Sequence, residues 1–241
     1  GNIKGAFDNN LQESETPDLI FLANSNQWSQ KGIDIDGEAA SDESGGSVSL
    51  SADGTIVAIG AKKNDGTGSA AGHVRIYEWS SSDWVQKGND IDGEAASDYS
   101  GHSVSLSADG TIVAIGAYLN DGTGSAAGHV RIYEWSGSAW DQKGIDIDGE
   151  AASDYCGYSV SLSADGTIVA IGAKKNDGTD TNAGHVRIYE WSVSASGSAW
   201  DQKGINIDGE AASDYSGGSV SLNADGTIVA IGAYLNDGTG S

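Results

Sequence analysis

The chain has 241 residues, 36 of them Gly and 1 Pro, with 35 acidic against 12 basic side chains and a formal net charge of -23. That charge excludes nucleic acid as a partner, since phosphates demand a basic face, and it disfavours anionic membrane surfaces. No stretch approaches the ~20 apolar residues of a membrane span, so no membrane insertion is expected, and the length suffices for one sizeable β domain with its own core.

Residues 1–17 have no periodicity and hold the only Pro, which reads as an extended N-terminal arm. Asp18–Ala23 contains Leu-Ile-Phe-Leu, a short apolar strand. Trp28–Ile35 reads as another strand, and its pattern returns from Trp84, Trp140 and Trp200, at spacings of 56, 56 and 60 residues. A longer linker, Ser192–Ala199, accounts for the extra residues in the last interval. An acidic loop, Asp36–Gly45, leads into the phrase Ser47–Ala61. That phrase recurs at Ser103–Ala117, at Ser159–Ala173 and, with one Ser→Asn change, at Ser219–Ala233. Asp53-Gly54 between two strand-like runs is a hairpin signal, because Gly accepts the positive φ of a tight reversal. The second run, Thr55–Ala61, is apolar or small on both alternating faces, so it is expected to be covered on both sides. A loop from Lys62 to Ala71 precedes an alternating aromatic strand, Gly72–Trp79, and a polar turn, Ser80–Asp83, joins it to Trp84.

One period is therefore four antiparallel strands, here A to D, and repeated units of this kind are the signature of propeller blades. The third-strand form Gly-His-Val-Arg-Ile-Tyr-Glu-Trp occurs three times, and Leu19–Leu22 lies at the right distance before Trp28 to serve as a fourth. The expected fold is all-β: a four-bladed β-propeller over 18–241, with repeats 45–91, 101–147 and 157–207. A shared blade of 18–35 and 217–241 would let the N-terminal strands close the ring. Two rivals use the same pieces: strand exchange with a neighbouring copy, giving a dimer or fibre, or membership of a larger ring. With no Met at all, the chain is expected to be a processed, trimmed or partial form.

Three motifs recur in order: Ser-Gly-x-Ser-Val-Ser-Leu, Asp-Gly-Thr-Ile-Val-Ala-Ile-Gly-Ala and Gly-His-Val-Arg-Ile-Tyr. Over about Trp28 to Ser241 the repeat resembles the FG-GAP repeat of integrin-α-type β-propellers. The leading Phe of that family is replaced by Ser44, Ser100, Cys156 or Ser216, and the Pro after Gly-Ala is missing. The family's Asp-x-Asp-x-Asp-Gly calcium loop has shrunk to Ser-Ala-Asp-Gly or Asn-Ala-Asp-Gly. One Asp cannot supply the 6–8 oxygens calcium wants, so that site is not carried over. The resemblance implies a secreted or cell-surface adhesion or recognition role, without catalysis.

In a propeller the D–A and B–C loops share one face, and here they are the longer ones, which makes that face the candidate binding surface. Positions where the near-identical copies differ cluster there. They are Glu43/Tyr99/Tyr155/Tyr215, Gly46/His102/Tyr158/Gly218, and the pairs Lys62-Lys63, Tyr118-Leu119, Lys174-Lys175 and Tyr234-Leu235. Exposed Tyr and Lys suit a protein or glycan ligand; neutral drift at solvent positions is the alternative. The acidic pairs Asp34/Asp36, Asp90/Asp92 and Asp146/Asp148, with Asp208 beside Asn206, place two side chains on one strand face. With nearby Glu they would suit a hard cation, so calcium is the one cofactor left open, against an alternative of turn chemistry. His73, His129 and His185 are spread around the expected ring and read as structural. Paired carboxylates could serve a carbohydrate-active enzyme, but they recur in nearly every repeat, whereas glycoside hydrolysis needs one unequal pair. The Trp residues are expected to pack between blades. Cys156, the single cysteine, reads as a small filler. The partners expected are thus a protein or glycan, or copies of the chain itself.

Overall fold

The computed structural model describes residues 21–24, 27–195 and 197–238; the expected arm and residues 18–20 lie outside them. All the described regular structure is strand. A first blade is formed by β3 (Ser44–Leu50), β4 (Ile56–Ala61), β5 (His73–Trp79) and β6 (Trp84–Gln86), in that order across the sheet. A short β7 (Ile91–Asp92) pairs with the start of β5. A second blade repeats the arrangement with β8 (Ser103–Leu106), β9 (Ile112–Ala117), β10 (His129–Trp135), β11 (Trp140–Gln142) and β12 (Ile147–Asp148). A third uses β13 (Cys156–Leu162), β14 (Ile168–Ala173), β15 (His185–Ser194), β16 (Gly197–Gln202) and β17 (Ile207–Asp208). Each blade is antiparallel throughout. Two half-blades flank them: β1 (Phe21–Asn24) with β2 (Gln27–Gln30), and β18 (Ser216–Leu222) with β19 (Val229–Ala233).

The four-strand period read from the sequence is the unit observed. The fourth strand is broken, however. Between β6 and β7 the chain bulges at Gly88, where φ is +81° and a Cβ would come within 2.8 Å of the Trp135 ring in the next blade. Only Gly fits both demands.

The A–B turn is built as its sequence predicts. Gly54 has φ +68°. Asp53 Oδ1 accepts from Ser51 Oγ at 2.7 Å, Thr55 N at 3.0 Å and Thr55 Oγ1 at 2.8 Å. These turns also join blades: Ala52 N donates to Ala108 O, Ala108 N to Ala164 O and Ala164 N to Ala224 O, at 2.7–2.8 Å.

Every residue of β4, β9 and β14 is buried, as their two apolar faces require. The core lies in the seams. Ile56, Val74, Ile76 and Ile91 of the first blade meet Leu106, Val113, Ile115 and Tyr133 of the second. The next seam joins Ile112, Val130 and Ile132 to Val160, Leu162, Val169 and Ile171, with Cys156 fully buried among them as a filler. The tryptophans pack in these seams as expected: Trp84, Trp140 and Trp200 donate from Nε1 to the carbonyls of Lys31, Lys87 and Lys143 in the preceding repeat.

The two ends differ from the interior. Among the described residues no register joins β1–β2 to β18–β19, so the expected pairing of the two half-blades is not part of the described structure. Val48 and Leu50 are 61% and 50% exposed, whereas their counterparts Val160 and Leu162 are buried. Ile228 is 66% exposed, against 6% for Ile112.

Candidate functional site

Three copies of the loop before strand A place a tyrosine in the left-handed region: Tyr99 (φ +58°), Tyr155 (φ +60°) and Tyr215 (φ +54°), with Glu43 (φ +55°) in the first. A backbone bond from residue three onward closes each tight turn, as His102 N to Tyr99 O and Tyr158 N to Tyr155 O show. The turn lifts the ring toward the residues that follow strand B. Tyr118 therefore stands among four rings: Tyr99 at 5.9 Å, His102 at 4.4 Å, Tyr155 at 5.3 Å and Tyr158 at 5.4 Å between centroids. His102 also lies 4.7 Å from Tyr158. Lys174 Nζ sits 3.4 Å over Tyr158, and Lys175 Nζ 4.2 Å over Tyr155. Tyr215 stacks on Tyr234 at 5.6 Å.

The variable positions thus meet across successive repeats as one surface. All five rings of the main cluster are half-buried. Tyr234 and Leu235 are more open, and Leu119 is half-buried. Lys62 and Lys63 are spent differently, on Glu43 at 3.1 and 2.5 Å. Their hydrogen bonds, Lys63 first, hold the Glu43 carboxyl below its usual range. Burial, with the positive Lys62 and Lys174 nearby, pushes His102 down to about 4. Burial and the surrounding phenols push the Tyr118 hydroxyl up.

The acidic positions form a second set. His73, on β5, is 1% exposed, and its Nδ1 lies 3.7 Å from Glu38 Oε2 and 3.6 Å from Asp90 Oδ2. His129, on β10, repeats this with Glu94 at 3.8 Å and Asp146 at 3.6 Å. The Glu comes from the loop ahead of strand A, the His from strand C and the Asp from the bulge before β7 or β12. His185 has Glu150 at 3.7 Å and Asp208 at 3.8 Å, and faces the Asn206 amide at 3.5 Å.

The structure thus brings Asp90 and Asp146 to a histidine and a glutamate. Asp92 and Asp148 lie beside them, their carboxyls pushed up by burial and then by Asp90 or Asp146. Asp34 accepts from Gln30 Nε2 at 2.8 Å, and the Asp36 carbonyl accepts from Arg75 at 2.5 Å. No histidine joins this pair among the described residues. Burial pushes all three histidines below their ordinary value, His129 and His185 to about 4, so each ring is neutral at neutral pH.

Reading the histidines as structural missed this gathering. The available signal was a constant offset: Glu to His is 35 residues and His to Asp is 17 in both copies. In the A–B turn, where integrin-type repeats carry their calcium loop, Asp53 directs one oxygen at its own turn. Cys156 is inert, its thiol pushed up to about 11 by burial.

The sequence profile of the FG-GAP repeat matches residues 91–133 and 142–189, the second and third repeats. No curated protein matches the chain. Among solved structures, a putative 6-phosphogluconolactonase from Bacteroides uniformis is similar at 12% identity and a TM-score of 0.51, over 77% of this chain and 46% of that one. Hydrazine synthase from Kuenenia stuttgartiensis is similar at 16% identity and a TM-score of 0.49, over 78% of this chain and 55% of that one. The chain spans about half the length of these proteins. At 12% identity the likeness to the former is one of fold alone. With the repeat profile on the second and third blades and the same sheet in each, those blades resemble FG-GAP repeats and the chain has a propeller-like fold.

Proposed function

We propose that the chain is a non-catalytic recognition module, working in extracellular or cell-surface surroundings, that docks a protein or glycan through the cluster around Tyr118. The observation that supports this reading is the gathering of five rings from successive repeats, with two lysines seated on them. A bulky residue in the left-handed region costs about 1–2 kcal/mol, and the turn before strand A holds three tyrosines that way where Gly would be relaxed. Half-buried rings offer flat apolar area at low entropy cost, suited to a sugar face or an aromatic or proline side chain. Lys174 and Lys175 have no carboxylate partner among the described residues, in a protein that is otherwise acidic. A ligand bearing acidic groups is therefore favoured. The test is binding to a panel of neutral and acidic glycans and extracellular proteins, with Y118A and K174A beside the parent. Loss of one stacking partner is expected to weaken binding about 10-fold or more. Unchanged affinity in a folded Y118A would refute the assignment.

A second reading, assembly of copies end to end, is favoured by a specific observation. Ala224 N and Ala52 O, the two unmatched members of the inter-blade turn series, have no partner among the described residues. Ser221 Oγ is likewise free, whereas Ser49, Ser105 and Ser161 each accept the N–H of Leu106, Leu162 and Leu222. The two ends carry the two halves of one seam. Light scattering at rising concentration tests this: a constant monomer mass rejects it.

A further inference from the structure

We propose that the chain holds a divalent transition-metal ion at each of two equivalent places, between Glu38, His73 and Asp90 and between Glu94, His129 and Asp146. The acidic side chains alone would not carry this. The second observation is His73, buried to 1% exposure, with both ring nitrogens lacking a hydrogen-bond partner and Nδ1 aimed between two carboxylates. The separations of 3.6–3.8 Å are too long for N–H···O bonds. They are close to the spacing of two donors on one ion: bonds of about 2.0–2.2 Å at a tetrahedral angle put ligand atoms roughly 3.4 Å apart. The donor atoms of each group lie within 4.8 Å of one another, and Glu38 and Glu94, exposed at their outer ends, can close the remainder.

The third copy shows what happens when the arrangement is relieved of charge. There Asn206 stands where Asp90 and Asp146 stand, and its amide donates to Glu150 Oε2 at 3.4 Å and faces His185 Nδ1 at 3.5 Å. The Asn206 amide N–H puts a positive end toward the imidazole, at the position where Asp90 and Asp146 put a carboxylate. In the first copy Glu38 Oε2 already accepts from Asn64 Nδ2 at 3.3 Å, and in the second Arg131 Nη1 lies 3.8 Å from Glu94 Oε1, but His73 Nδ1 has no hydrogen-bond partner among the described residues, and a cation would satisfy the ring nitrogen and both carboxylates together.

One imidazole with two carboxylates selects a first-row ion such as zinc rather than calcium, which takes 6–8 oxygens. Only three protein ligands are offered, so water completes the sphere. Entry is open at the second copy, where Asp146 and Asp148 line a shallow depression with Gln142, Gly144 and Ile145. The ion would tie the loop ahead of strand A to strands C and D of its blade.

The experiment strips the whole chain with chelator and titrates it with Zn2+ and, separately, with Co2+ as a spectroscopic probe. The parent is expected to bind about two ions per chain with visible Co2+ d–d bands, and to lose melting temperature on chelation. H73Q and H129Q should each remove one ion, and the double variant both. N206D, which puts a carboxylate where Asp90 and Asp146 stand, should raise the count by one; this gain does not depend on a variant that damages folding. Absence of binding, or a stoichiometry that H73Q, H129Q and N206D all leave unchanged, would overturn the proposal.

Discussion

Ile112 and Ile228 sit in the same ten-residue phrase, Ala-Asp-Gly-Thr-Ile-Val-Ala-Ile-Gly-Ala, so their intrinsic strand preferences cancel. What differs is the neighbour. The next blade's A–B turn rests on Ile112, where a Cβ on Gly166 would come within 2.6 Å of Cδ1. Among the described residues nothing covers Ile228, which is 66% exposed. Truncation of a buried Ile to Ala typically costs 2–5 kcal/mol, so Ile112→Ala is expected to cost about 3 kcal/mol. With only about a third of its surface removed from water, Ile228→Ala should cost about 0.5–1 kcal/mol. In a stacked-repeat architecture the difference reports the missing nearest-neighbour contact. A gap of about 2 kcal/mol corresponds to roughly 4–8 °C in Tm for a chain of this size. Thermal and denaturant melts of the two variants at low concentration measure it. Equal costs would refute the reasoning, because residue 228 would then be covered in solution. A cost for Ile228→Ala that grows with concentration would identify the cover as a second copy; one independent of concentration would identify the chain's own N-terminal half-blade.

His102 makes folding acid-sensitive. Its folded pKa of about 4 lies below the ordinary 6.5, so the unfolded chain takes up a proton first as pH falls. The stability at stake is present above pH 6.5 and is lost toward pH 4, at most on the order of 3 kcal/mol. The parent should therefore lose more Tm between pH 7 and 4.5 than H102F; equal losses would count against a buried neutral ring. Asp165→Ala should destabilise by about 1–3 kcal/mol, since it strands Ser163 Oγ and both donors of Thr167 that converge on Asp165 Oδ1. A neutral result in urea melts would show that the Gly166 turn forms without its carboxylate.

Much of the fold was legible because each local signal had a single structural outcome. Asp-Gly between β-branched runs gives a hairpin. A strand apolar on both faces, Ile56–Ala61, can only be an inner one, and all six residues are buried. Closure was harder to read. Pairing of the half-blades depends on contacts between residues some 200 positions apart, and no local residue choice encodes it. The break in the fourth strand was also hidden, since Lys87-Gly88-Asn89-Asp90 reads as continuous polar strand until the Trp135 ring of the following blade is placed against Gly88.

The candidate sites divide along the same line. Positions that vary among near-identical copies pointed to Tyr99, His102, Tyr118, Tyr155 and Tyr158, and these do meet, because variation marks one loop face and adjacent blades bring that face together. The histidines were set aside on a different ground: His73, His129 and His185 are spread around the expected ring, and a ligand role was taken to need convergence across blades. The inference does not hold where the ligands of one centre come from a single period. Glu38, His73 and Asp90 are 35 and 17 residues apart, within one turn of the repeat, so each copy can assemble its own centre. The register that pairs His73 with Asp92 sets the histidine against the acidic end of the fourth strand. Repetition then multiplies such a centre, and the informative residue becomes the one that departs, Asn206.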